Sequence, residues 1–151
     1  MNRIATFITL TVFSVFLFSC DKNDLSEPAP VQLEVNTHNI SGQWQLMYWN
    51  GNEMADGTYV YMDIVRNDET YTMYQNVDSF ADVPRVVTGR YKLYEVEGMG
   101  MAIRGNYDYS GEEWSARYII TSLTEDTMKW VDKNDQTQIQ EFVRVQEIPL
   151  E

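Results

Sequence analysis

Cysteine and histidine are almost missing from this chain. Its 151 residues hold one cysteine, Cys20, and one histidine, His38. A single cysteine excludes a disulfide within the monomer, and so few soft ligands exclude a Cys/His metal cluster. Basic charge is scarce as well, with 11 Lys and Arg against 23 Asp and Glu and a formal net charge of −12. A field of that sign repels nucleic acid and anionic headgroups, so nucleic acid is not an expected partner. Long apolar runs are confined to the first nineteen residues. Apolar spacing of helical period appears nowhere convincingly in the remainder.

Catalytic patterns are missing too. His38 stands without the cysteine or serine context that would make it a base for a nucleophile. Glu112-Glu113 and Glu125-Asp126 are neighbours along extended chain, where adjacent side chains point to opposite faces, a poor arrangement for a two-carboxylate hydrolase. Asp132-Lys133-Asn134-Asp135 resembles the opening of a calcium loop, but Thr137 and Val143 occupy the positions that need glycine and glutamate. No Gly-rich phosphate loop is present. The expectation is a protein that is not an enzyme and carries no cofactor or metal.

What is present begins with an export signal. Arg3 precedes an apolar stretch from Ile4 to Phe18, and Ser19 stands directly before Cys20; this is the anatomy of a signal peptide over residues 1–19. The stretch is shorter than the roughly 20 residues that span a bilayer, and Asp21-Lys22-Asn23-Asp24 follows at once. Leu17-Phe18-Ser19-Cys20 resembles the lipobox of bacterial lipoproteins, with Phe18 departing from the usual small or aliphatic residue. The resemblance implies acylation of Cys20, cleavage in front of it, and a membrane partner held through two or more acyl chains. Asp21 to Asp24 is similar to the acidic signals that send such lipoproteins to the outer face of the outer membrane. The expected location is therefore the outer membrane, facing the periplasm or the exterior. Residues 20–39, polar and containing Glu27-Pro28-Ala29-Pro30, read as a tether.

Residues 40–151 read as one domain. Period-two alternation in short segments rich in Tyr, Val, Ile, Trp and Thr predicts about eight strands separated by Gly, Asn and Asp turns. Trp44, Leu46 and Tyr48 share a face of the first, Val60, Met62 and Ile64 of the second, Tyr71 and Met73 of the third. Val87, Gly89, Tyr91 and Leu93 alternate in the fourth, Met101, Ile103 and Tyr107 in the fifth, and Trp114, Ala116, Tyr118 and Ile120 in the sixth. Met128 and Trp130 mark the seventh, and Thr137 to Val145 the eighth. No connection is long enough for a parallel crossover. The fold class is all-β, an antiparallel up-and-down barrel, with a two-sheet sandwich as the second choice.

Gly42-Gln43-Trp44 opens the first strand and Arg144 lies near the end of the last. This pattern resembles the Gly-x-Trp signature of lipocalins and their calycin relatives, in which a late arginine packs over the tryptophan at the closed end of the barrel. Together with the lipobox and tether, Ser41 to Leu46 and Ile119 to Thr124 are similar to small lipocalin-like lipoproteins of Bacteroides-type bacteria. The resemblance implies a barrel that binds a small ligand. The last strand leaves two orientations open, Phe142 with Arg144 inward or Val143 with Val145 inward.

Ten tyrosines, four tryptophans and eight methionines supply most of the core, and some are free to line a pocket. Tyr48, Tyr71, Tyr91, Tyr107 and Tyr118 fall on the apolar faces and are the candidate ligand-binding residues, at the end away from Trp44. With Arg90, Arg104 and Arg117 on the opposite faces, a neutral or weakly cationic apolar molecule is expected and fatty acids are not. The alternative is a solid barrel whose acidic surface meets an envelope or extracellular protein.

Overall fold

The computed structural model describes residues 29–77 and 84–149. The stretch expected as a signal peptide, Cys20 and the first part of the expected tether lie outside them. The expected alternation produces strands because β-branched and aromatic side chains fit a pleated, half-buried surface. After a single helical turn α1 (Thr37–Ile40) come β1 (Gly42–Trp49), β2 (Asn52–Glu53), β3 (Tyr59–Val65), β4 (Thr70–Asn76) and β5 (Arg85–Val96). They are followed by β6 (Gly100–Gly105), β7 (Tyr118–Leu123), β8 (Thr127–Asp132) and β9 (Ile139–Val145). Neighbours pair antiparallel in chain order from β3 to β9, and β1 pairs with both β3 and β9. That last pairing closes an eight-stranded up-and-down barrel, with the two-residue β2 as an appendage on β1. Closure leaves no long open edge.

Two bulges re-aim the walls. β1 holds an extra residue between Leu46 and Tyr48, and β7 one between Ile120 and Ser122. A bulge moves the following side chains to the other face. Inside the barrel Trp49 therefore succeeds Leu46, and Leu123 succeeds Ile120.

The closed end is built around Trp44, which is fully buried. Its indole Nε1 donates to the Ile40 carbonyl at 2.8 Å, which ties the strand to the helical turn across the barrel's base. Asn36 caps that turn by accepting from the Asn39 amide. β9 presents Phe142 and Arg144 inward, and the Arg144 guanidinium carbon lies 4.1 Å from the centre of the Trp44 ring. The same guanidinium donates through Nε to Glu125 O, through Nη1 to Ser41 O and through Nη2 to Asn39 O, at 2.6, 2.7 and 3.0 Å. Gly42 lies at φ 122, and a side chain there would run into Arg144. Glycine, tryptophan and arginine thus form one unit.

Part of the stretch expected as tether lies against this end. Leu33 donates its amide to the Leu123 carbonyl at 2.8 Å, Gln32 accepts from Ser122 and Leu123, and Leu33 and Val35 pack on the core. The polar composition of residues 20–39 hides these two apolar side chains, whose spacing of two puts them on one face.

Candidate functional site

At the other end a connecting segment fills part of the barrel. Between β6 and β7 the walls share only two residue pairs, Ala102 with Ile119 and Ile103 with Tyr118. The segment between them turns across the interior. Trp114 donates its amide to Gly105 O at 2.8 Å and its indole Nε1 to the Tyr71 hydroxyl at 2.8 Å. The Tyr71 hydroxyl in turn donates to the Asn106 carbonyl at 2.9 Å. Two glycines make the room: a Cβ on Gly105 would strike the Trp114 indole, and one on Gly89 would strike the Asn106 carbonyl and the Tyr71 ring.

Trp114 starts an aromatic floor. Tyr71 meets it edge-on at 5.0 Å, Trp130 lies 6.1 Å away, Tyr118 stacks on Trp130 at 5.4 Å, and Phe142 sits 4.8 Å beyond. Offset and edge-on pairs of this kind add to area burial. The Trp130 Nε1–H is buried and has no acceptor among the described residues.

Above this floor, at the end away from Trp44, a half-open cavity of about 160 Å³ remains. Trp49, Met73, Gln75, Tyr107, Tyr118 and Gln140 are among the residues that line it. Gln140 Nε2 donates to the Tyr118 hydroxyl at 3.2 Å. No charged side chain lines it. Chemically the cavity offers ring faces, thioether and amide, suited to holding an uncharged molecule. Among the described residues no three His, Cys, Asp or Glu side chains converge.

The five candidate tyrosines have separate fates. Tyr107 and Tyr118 line the cavity. Tyr71 is buried in its floor, with its hydroxyl committed to Trp114 and Asn106. Tyr91 is buried on the same inner face, and its hydroxyl reaches the Val65 carbonyl at 3.5 Å, away from the cavity. Tyr48 corrects the sequence reading. The β1 bulge turns it to the outer wall opposite Glu141, and Trp49, itself half exposed, takes the place at the mouth of the cavity. Gln75 and Gln140 were legible as polar residues two positions from Met73 and Phe142 on inward faces; polarity alone led away from them.

Burial pushes the Tyr71 hydroxyl up to about 12, against the lowering effect of the Trp114 hydrogen bond. Tyr91, Tyr107 and Tyr118 are raised for the same first cause, desolvation. The fold favours the neutral phenol, whereas an unfolded tyrosine ionises near 10. For Tyr71 the stabilisation is complete below about pH 10 and disappears as pH rises to about 12, at up to about 1.4 kcal/mol per pH unit. Urea unfolding between pH 8 and 12 is expected to show this fall, with a shallower slope in Tyr71→Phe. An unchanged slope in that variant would remove Tyr71 from the account.

Protein-family models, curated proteins and solved structures provide no match to this chain.

Proposed function

We propose that this chain is a lipid-anchored lipoprotein of the bacterial outer membrane, tethered through Cys20, whose lipocalin-like barrel binds a small neutral aromatic or apolar molecule at its open end. The observation that carries the ligand reading is the uncharged, aromatic-lined cavity opposite the closed Trp44 end. Its volume, about 160 Å³, is close to the roughly 150 Å³ of an apolar cavity that accepts benzene. One ring fits, with any substituent directed to the open mouth. Sterols exceed this space, and a fatty acid would bring a carboxylate to walls that hold no cation.

Native mass spectrometry of the full-length protein against toluene, acetophenone, cholesterol and palmitate tests the reading. Retention of the one-ring compounds is expected. Ala116→Phe fills the cavity at a half-buried lining position and is expected to weaken retention at least about tenfold, a loss of about 1.4 kcal/mol. Retention of palmitate alone, or binding untouched by Ala116→Phe, would refute the site. Retention of nothing would favour a solid barrel with a protein partner on its acidic surface. The anchor is tested separately: Cys20→Ala is expected to abolish palmitate labelling and partitioning into the detergent phase.

A further inference from the structure

Basic side chains are scarce on this chain, yet three of them converge on one groove of the outer wall. Lys92 on β5 and Arg104 on β6 are direct cross-strand partners, and Arg90 lies two residues along the same face of β5. With Gly105, Asn106, Gly111 and Glu113 they line a groove of about 350 Å³. This groove lies outside the barrel and owes nothing to the cavity at its mouth.

The arrangement works against stability. Like charges directly opposite on neighbouring strands repel, and nothing in the packing of exposed positions such as Arg90 and Lys92 requires a cation. Glu113 pairs with Arg104, and among the described residues neither Arg90 nor Lys92 has a carboxylate partner. Three cations against one carboxylate leave two positive charges uncompensated. Gly111, at the groove's edge, contributes no side chain to fill it.

We propose that this groove binds a phosphomonoester group. Such a group carries between about −1.5 and −2 charge at pH 7 and three strong acceptor oxygens, a match to the uncompensated charge and to the donor forks of two arginines. A carboxylate or a phosphodiester brings only one negative charge. Charges farther than about 8 Å are screened at physiological salt, so the field at the groove is set by its lining residues and their immediate neighbours.

The test is a titration of the 15N-labelled full-length protein, followed by the amide signals of Gly105, Asn106 and Gly111. Glucose 1-phosphate is expected to shift them saturably, and dimethyl phosphate to bind at least about tenfold more weakly. Lys92→Glu is expected to weaken glucose 1-phosphate at least about tenfold. The same change replaces a repulsive pair with an attractive one, so its unfolding temperature is expected to rise by roughly 2–4 °C. That rise shows that lost binding is not lost folding. Dihexanoyl phosphatidic acid forms a second arm: tighter binding than glucose 1-phosphate assigns the group to a lipid headgroup, and weaker binding assigns it to a soluble ester. Both orders support the site. Absence of saturable shifts, equal affinity for dimethyl phosphate, or undiminished binding in Lys92→Glu would overturn it.

Discussion

Trp44→Ala is expected to lower the stability of the barrel by about 3–5 kcal/mol, the usual cost of truncating a core tryptophan. Three losses combine. A fully buried indole vanishes from the closed end, the Ile40 carbonyl loses its 2.8 Å donor, and the Arg144 guanidinium loses the ring beneath it. Arg144→Lys isolates the third partner. An ammonium keeps positive charge but cannot reproduce the planar stack together with donation to Asn39, Ser41 and Glu125, so a cost of about 2 kcal/mol is expected from the hydrogen bonds and stack it forfeits. Urea unfolding of the two single variants and the double variant checks the unit. The double variant should lose less than the sum, because each change removes the same contact. Strict additivity would mean that the two side chains act independently.

Gly89→Ala is expected to cost about 3 kcal/mol, the upper part of the range for overpacking. The added methyl meets the Asn106 backbone carbonyl and the Tyr71 ring, and a carbonyl held on both sides cannot swing away as a side-chain tip can. The Asn106 amide donates to Arg90 O at 2.9 Å, and its side-chain oxygen accepts from the Arg90 amide at 2.8 Å. Displacing Asn106 therefore also strains the β5 wall. The measurement is the denaturation midpoint, paired with the indole N–H signal of Trp114, whose partner Tyr71 would be pushed. A variant as stable as its parent, with that signal unmoved, would show that the crossing segment is loosely placed.

Alternation alone made most of the barrel legible. Val60, Met62 and Ile64 face inward as their period of two requires, and all but one of the connections between neighbouring strands are too short for anything but antiparallel pairing. Trp44 and Arg144 were legible as a pair through a resemblance, although the two orientations of the last strand remained open. Tyr48 was misplaced because a bulge leaves no mark in the hydrophobic pattern: Met47 and Tyr48 both suit either face. Gly89 and Gly105 read as ordinary strand residues, since the space each vacates is filled by Trp114 and Asn106 from a distant segment.

What the sequence by itself determined is therefore the all-β class, the strand order and the sign of the surface charge, all of which follow from local alternation and composition. Tertiary structure alone decided that Trp114 crosses the interior and reduces the lumen to a cavity of about 160 Å³. It also decided that Arg144 lies over Trp44 and that Arg90, Lys92 and Arg104 share a groove. Each depends on register between strands and on backbone approach across glycine. A one-residue shift in register exchanges the two faces of a strand while leaving its sequence pattern unchanged.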